Sequence, residues 1–359
     1  MREPLLVYII TYNIIHVVHY SRLIIKKIIN KTYVKMCASR RQCAWLINKQ
    51  TFSSHQRLNE EHLNVKNNRA LFEQWLVGFT DGDGNFHISR TTINTKTGNN
   101  SEDVKVNSNK WGLSYKLTQS AYNLRVLNYI KKELKVGSIT KDNTKAQYFI
   151  RDRKVIEKLL LPIFDKYPLL TTKYFDYIKL KQALLVLNDI SLTRQDKDIK
   201  LLKIKDMKPN TDYISPAWNN ANLPLTNVSS INNVMSNSWL VGFIEAEGSF
   251  YLSKKTSTRM VHAFGLTQKL DKVVLEAIAI KLHIKTQVRY KVYHNYYILD
   301  TTNSRAIENI ISFFKNTMKG VKSLEYRIWA RSYAKNKGNF EKLYEIRNII
   351  RKLRKAKYS

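Results

Sequence analysis

Cysteine is nearly absent. Cys37 and Cys43 are the only two in 359 residues. Their spacing fits no zinc pattern and two cysteines make no disulfide framework, so free thiols in a reducing compartment are expected. Acidic residues are also scarce, 28 Asp+Glu against 61 Lys+Arg, a formal net charge of +33. A charge of that size points to a polyanionic partner, most simply nucleic acid. Coding bias towards AT-rich codons is the competing explanation, because Lys, Asn, Ile and Tyr are all abundant. There is no Walker loop, no dinucleotide fingerprint and no His-Glu-x-x-His, so the usual signatures of nucleotide, nicotinamide and zinc-protease chemistry are missing. Uninterrupted apolar runs fall short of the ~20 residues a membrane-spanning helix needs. Leu5 to Val18 comes nearest, broken by Asn13 and His16 and followed by Arg22, Lys26 and Lys27. It reads as a short membrane anchor or hydrophobic targeting segment, an amphipathic helix packed on the body or a translated remnant. Membrane contact through 5–18 is not the favoured reading. The rest of 1–69 is polar, and His55 and His62 read as surface residues.

What the chain does have is a repeated stretch. Trp-Leu-Val-Gly-Phe-Thr-Asp-Gly-Asp-Gly at 75–84 is echoed by Trp-Leu-Val-Gly-Phe-Ile-Glu-Ala-Glu-Gly at 239–248. Each copy is an apolar run closed by two acids two residues apart, then a glycine. Each reads as a helix, with Asn68 or Ser236 as N-cap and with Gly84 or Gly248 ending it. The acids then sit at the end where the helix dipole repels them. A bound cation is the natural offset. Gly78 and Gly242 fall inside the helices, where glycine costs about 1 kcal/mol relative to alanine. Glycine at the same place twice suggests two backbones in close approach. If the helices pack side by side in parallel, Asp83 and Glu247 converge, and two such carboxylates need a divalent metal or a proton between them.

The repetition extends well beyond the motif. Alternating residues read as strands at 85–89, 111–119, 137–140 and 146–151, with helices at 123–134, 155–167 and 174–187. Residues 91–110, rich in Thr, Asn and Lys, read as a long turn or loop. The second half gives strands at 249–253, 262–268, 286–290 and 296–300, and helices at 273–282, 306–315 and 323–333. Asp83 and Glu247 are 164 apart. Leu117-Thr118-Gln119 and Leu266-Thr267-Gln268, Tyr148 and Tyr297, Phe164 and Phe313, Lys173 and Lys322, and Tyr177 and Tyr326 all lie 149 apart. A single change of 15 residues, around 91–110, aligns the halves. The expected fold is therefore α+β: two pseudo-two-fold-related αββαββα units with the motif helices at their interface and the sheets forming one curved surface. The expected divisions are 1–69 as N-terminal extension, 70–188 and 238–336 as the halves, 189–237 as a turn-rich linker and 337–359 as a basic tail.

Both motif copies resemble the signature of LAGLIDADG homing endonucleases in their monomeric two-motif form, over roughly residues 70–336. The resemblance implies a site-specific double-strand DNA endonuclease that hydrolyses phosphodiesters with Mg²⁺, or with Mn²⁺ in its place, and leaves short 3′ overhangs. It implies metal binding by Asp83 and Glu247 and by the carbonyls of Gly82 and Ala246, while Asp81 and Glu245 are structural. It places Gln119 and Gln268 near the metal waters and Lys173 and Lys322 near the scissile phosphate. A family position four residues after the Gln is often basic; here it is Asn123 in one half and Lys272 in the other, so the two cutting sites need not be equal. Double-stranded DNA is the implied partner of a monomer encoded in a mitochondrial, fungal-like intron, and the act of cutting would promote homing of that intron. The alternative is an RNA maturase that binds the host intron RNA and aids splicing, alone or as a second activity. A sheet surface of this kind fits the major groove, where base edges are distinct. Arg90, Lys116, Arg151, Arg153, Lys254, Arg289 and Lys291 are the candidate DNA contacts, each of which could instead be an ordinary exposed strand residue.

Overall fold

The computed structural model describes residues 67–97, 104–221, 224–225 and 227–355. The segment 5–18, both cysteines, His55 and His62 lie outside the described residues. No described helix is long and apolar enough to cross a membrane.

The first helix, α1, covers 67–83. Its repeat, α7, is Asn237–Glu247. Both are buried nearly all round, including Trp75, Leu76, Phe79, Trp239, Leu240 and Phe243. A helix apolar on every side belongs inside a molecule rather than on its surface. Ser236 caps α7 by accepting from the Trp239 N–H at 3.0 Å. Asn68 is not the N-cap, because it already lies inside α1. The closing glycines do not turn left-handed as a glycine C-cap usually does: Gly248 has φ −65°. They are there for room. A Cβ on Gly84 would lie 2.3 Å from the Thr80 Cγ2, and one on Gly248 2.5 Å from the Ile244 Cγ2.

Each motif helix feeds a four-stranded antiparallel sheet. The first consists of β1 (Gly84–Thr97), β2 (Val104–Ser120), β3 (Ser138–Lys141) and β4 (Lys145–Ile150), in the order β1-β2-β4-β3. The second consists of β5 (Ser249–Lys254), β6 (Met260–Gln268), β7 (Arg289–Lys291) and β8 (Tyr296–Thr301), in the matching order β5-β6-β8-β7. The long turn expected over 91–110 is instead mostly strand. β1 and β2 pair from Gly84↔Leu117 to Thr97↔Val104, so the fifteen extra residues of the first half lengthen this ribbon. Thr91 and Thr92 are both exposed. Alternation persists in Ile93-Asn94-Thr95-Lys96 and Val104-Lys105-Val106-Asn107, but the many Thr, Asn and Lys residues hide it.

Helix α2 (Leu124–Leu134) crosses between the hairpins of the first half, as α8 (Lys272–Lys281) does in the second. The next helix, α3, starts at Arg153–Val155, widens to a π turn over Ile156–Leu160 and ends as Leu161–Lys166; its counterpart α9 is Ser304–Phe314. The π turn shifts the match by one residue. The N-caps Asp152 and Asn303 are 151 apart, whereas the aromatic that meets the strand core is Phe164 in one half and Phe314, not Phe313, in the other. Phe164 sits 5.2 Å from Phe86, and Phe314 6.0 Å from Phe250, centroid to centroid. Tyr177 and Tyr326, on α4 (Lys173–Asn188) and α10 (Lys322–Asn336), complete the two aromatic clusters.

Residues 189–237 contain a 13-residue helix, α5 (Arg194–Asp206), a 3₁₀ turn at Pro216–Asn220 and the short α6 (Val228–Asn232). The chain's last described helix, α11 (Phe340–Lys355), is no loose tail: Leu343 and Ile350 are buried, and Arg354 donates to the Phe250 carbonyl at 2.7 Å. These two helices are themselves a repeat. Each follows the lysine-led helix of its half, and buried Leu201 and buried Ile350 lie 149 apart. From Arg69 onward the described residues form one compact unit.

Candidate active site at the helix crossing

The motif helices cross backbone on backbone. A Cβ on Gly78 would lie 1.9 Å from the Trp239 carbonyl oxygen, and one on Gly242 2.0 Å from that of Trp75. The helices run parallel, since further along Gly82 lies against Ala246 and the Glu247 Cγ. Both C-terminal ends, with their acids, therefore arrive at one place.

The earlier acid of each motif is tied inward. Asp81 accepts from the Trp239 indole at 2.8 Å, from the Leu170 and Thr171 N–H groups at 2.9 and 3.1 Å, and from the Thr171 hydroxyl at 2.5 Å. Glu245 mirrors this, accepting from Trp75 at 3.2 Å and from the N–H groups of Lys319 and Gly320. Burial pushes both carboxyls up from their ordinary range, and these donors pull them back. Each acid thus fixes the loop that leads into α4 or α10, and so the position of the lysine opening that helix. The Lys173 ammonium reaches the carbonyls of Thr80, at 3.3 Å, and Gly82. Lys322 reaches those of Ala246, at 3.1 Å, and Gly248, at 2.5 Å. Burial lowers the Lys173 pKa; the nearby carboxylates of Asp81, Asp83, Glu247 and Asp271 act against it.

The later acids face outward. Gln119 donates to the Asp83 Oδ2 at 2.5 Å, Asn123 donates to Gln119 at 2.7 Å, and the Asn123 oxygen accepts from the Val321 N–H at 2.9 Å. One chain of bonds therefore runs from Asp83 to the residue before Lys322, across the two halves. The opposite crossing differs: Asp271, at φ +61°, accepts from the Thr172 N–H and hydroxyl at 2.8 and 3.1 Å, while Lys272 pairs with Glu276 at 3.0 Å. Asn123 and Asp271 were not anticipated in these roles. The left-handed backbone at Asp271 leaves no signal in spacing, and the mismatch at Asn123 was the only hint. A cleft of about 350 Å³ opens here, lined by Asp83, Gln119, Asn123, Thr144, Lys145, Ala246 and Lys322 among others.

The donors at this end of the helices are carboxylate and carbonyl oxygens, a hard set that suits Mg²⁺ or Ca²⁺ and not a thiophilic metal. Two lysine ammoniums already rest on these carbonyls, so the site draws cations. Among the described residues no three or more His, Cys, Asp or Glu side chains gather to hold a metal alone. Asp83 and Glu247 would thus leave coordination positions for carbonyls, water and phosphate.

Strand register sorts the candidate DNA contacts by face. Phe86, Ile88, Trp111, Leu113 and Tyr115 point to the core. On the opposite face of the first sheet lie Asn85, His87, Lys116, Gln147 and Phe149. Lys116 belongs there, and so does Arg151, whose guanidinium covers the Phe149 ring at 4.3 Å. Burial and the charges of Lys116 and Lys205 lower the His87 pKa. Arg289 and Lys291 share the open face of the second sheet, Arg289 beside Asp300 at 2.5 Å. Arg90 and Lys254 have the parity of the core face instead. Arg90 is bound by Asp198 of α5 at 3.1 Å, and Lys254 lies 5.7 Å from the Phe340 ring of α11. Arg153 donates to the Trp111 carbonyl at 3.2 Å.

The LAGLIDADG endonuclease family matches residues 76–184 and 240–333, which together span both halves. A "Probable intron-encoded endonuclease Cox1-I1b" of Schizosaccharomyces pombe is 40% identical over 296 residues, covering 80% of this chain and 70% of that protein. The chain belongs to the LAGLIDADG endonuclease family. Solved LAGLIDADG structures share its architecture. The homing endonuclease I-GzeII, in complex with its DNA target, is 21% identical with a TM-score of 0.61, over 77% of this chain and 97% of that one. I-SmaMI, bound to cleaved DNA, is 25% identical with a TM-score of 0.59, over 77% and 95%. The two LAGLIDADG helices are α1 and α7, and the crossing at Gly78 and Gly242 is where the family motif meets itself.

Proposed function

We propose that this LAGLIDADG chain is a site-specific DNA endonuclease that cuts both strands of a long, nearly asymmetric duplex site and leaves short 3′ overhangs. The observation that carries this reading is the arrival of one outward acid from each half, Asp83 and Glu247, at one end of a glycine-tight helix crossing. Each acid has a lysine-led helix beside it. Asp83, Glu247 and the carbonyls of Gly82 and Ala246 are the residues that would hold Mg²⁺, with Mn²⁺ able to replace it. Bound there, the metal supplies charge relief at the phosphate and an acidified water. Gln119 orients the Asp83 carboxylate, and Gln268 has the corresponding place in the other half. Lys173 and Lys322 would meet the phosphate charge once DNA draws them from the carbonyls. Lys116, Arg151, Arg289 and Lys291, on the open faces, would take phosphates and base edges. With both motifs in one chain, a monomer suffices for both strands.

The intron-encoded relative supports the further reading that this protein is encoded in a fungal mitochondrial intron and promotes that intron's homing. The maturase alternative gains nothing from the relatives' names. The test is cleavage of DNA spanning the intron-minus junction by the full chain, in Mg²⁺ and in EDTA. One Mg²⁺-dependent double-strand cut is expected, lost in Asp83→Asn and Glu247→Gln while DNA binding in Ca²⁺ persists. Full cleavage by both variants would overturn the roles of these acids. Absence of any cut, together with tight binding of the intron RNA, would favour the maturase.

A further inference from the structure

The second hairpins of the two halves differ most at their tips. Asp142, Asn143 and Thr144 join β3 to β4, a polar turn in which Asp142 accepts from the N–H groups of Thr144 and Lys145, both at 2.7 Å. Val292, Tyr293, His294 and Asn295 join β7 to β8. Here Tyr293 is 100% exposed and Val292 76%. Single exposed apolar residues are common and need no explanation. This tip, however, is braced from below. The Tyr290 hydroxyl bonds the Asn295 side chain at 2.6 Å, the Tyr290 ring lies 5.0 Å from that of Tyr297, and His294 stacks on Tyr296 at 5.8 Å and 15°. Asn295 turns left-handed at φ +49° to close the loop. A rigid mount that presents a bare phenol and a valine, with Arg289 and Lys291 on the same hairpin, suits a partner with both charge and apolar groove atoms. Duplex DNA offers phosphates beside thymine methyls.

The register places the tip. Tyr297 pairs with Gln268 and Lys291 with Tyr296, so the tip stands at the end of the second sheet where Gln268 lies. At the equivalent end of the first sheet, Thr144 and Lys145 line the cleft with Asp83. The aromatic tip is therefore beside the cutting region rather than at the outer end of the sheet.

We propose that Tyr293 is a specificity-determining DNA contact, its ring packing on an apolar base edge such as a thymine methyl in the groove next to the cut on the second half's side, with Val292 packed beside it. This rests on the endonuclease reading. The first half has no such ring, so the contact is one-sided.

The test uses the full chain and the intron-minus junction duplex in Ca²⁺, followed by selection from a duplex randomised around the cut. Tyr293 is wholly exposed, so Tyr293→Ala leaves the fold intact. It is expected to weaken binding by about tenfold, in line with the loss of one base-edge contact. It is also expected to relax base preference on one side of the cut only. Tyr293→Phe keeps the ring and is expected to bind within about twofold of the parent. Unchanged affinity and selection in Tyr293→Ala would overturn the inference, as would a Phe variant as weak as the Ala one, which would assign the contact to the hydroxyl. If the parent chain neither binds nor cuts the duplex, the endonuclease reading fails and this inference falls with it.

Discussion

Trp239 donates its indole N–H to Asp81, 2.8 Å away across the helix crossing, and Trp75 makes the reciprocal bond to Glu245 at 3.2 Å. The motif tryptophans are thus donors to the other half's buried acid. Trp239→Phe keeps a ring to stack on Phe243 but leaves Asp81 short of one donor. Loss of a bond to a buried charged group typically costs about 1.5–3 kcal/mol. Urea unfolding of this variant should show a midpoint lowered accordingly, with cleavage retained by the folded fraction. An unchanged midpoint would mean the bond contributes nothing.

Gly78→Ala and Gly242→Ala should be far more damaging than their one added methyl suggests. The added carbon would lie about 2 Å from a backbone carbonyl oxygen of the facing helix, at Trp239 or Trp75. A flexible side chain could move aside; a helix backbone cannot without opening the whole crossing. Overpacking costs typically 1–3 kcal/mol when neighbours can yield, so a loss of about 3 kcal/mol or more is expected. Thermal unfolding measures it, and a melting temperature equal to the parent's would contradict the crossing geometry.

Much of this was readable in the sequence. The shared glycines, the acid pairs and the recurring offset of 149 each report a physical requirement that both halves meet in the same way. Four features are hidden in the sequence for identifiable reasons. The ribbon beyond residue 90 is so rich in Thr, Asn and Lys that it reads as turn, although Ile93-Asn94-Thr95-Lys96 and Val104-Lys105-Val106-Asn107 alternate. Helix α5 hides in 189–237 because Pro209, Pro216 and Pro224 mark that segment as turn-rich, although Leu201 and Ile350 keep the 149 offset. Arg90 shares the strand parity of Phe86 and Ile88, the core face, and it is bound there by Asp198. The bonds of Asn123 and Asp271 across the halves depend on tertiary placement and on a left-handed residue, neither of which spacing encodes.

Asp198 fastens the base of the ribbon to α5. It accepts from the Trp111 indole at 2.5 Å, the Asn109 amide at 2.5 Å and Arg90 at 3.1 Å. Its partial burial would raise its pKa, but these three donors together hold the carboxyl below its ordinary range. Asp198→Ala orphans all three at once. Hydrogen exchange should speed up locally, over 90–92 and 109–111, while the amides of α1 and α7 keep their protection. Uniform protection in parent and variant would show that α5 does not hold the ribbon.

Two buried groups should give the stability curve opposing slopes in acid. Burial, reinforced by the nearby charge of Asp81, lifts Asp271 from 3.8 to about 6, despite the Thr172 donors and Lys173. The folded state then binds the proton more tightly than the unfolded one, so this group's contribution falls as pH rises through roughly 4 to 6. Burial, with the charge of Lys337, lowers His262 from 6.5 to about 4. There the unfolded state binds the proton more tightly, so stability is lost as pH falls from about 6.5 towards 4. Shifts of this size correspond to roughly 3 kcal/mol each and partly cancel. Asp271→Asn can still accept the Thr172 N–H but carries no buried charge. Its stability relative to the parent should therefore rise by about that amount between pH 4 and 6 and level off above. Denaturant unfolding at half-unit pH steps measures the difference, and a difference independent of pH would mean that Asp271 titrates alike in the folded and unfolded chain.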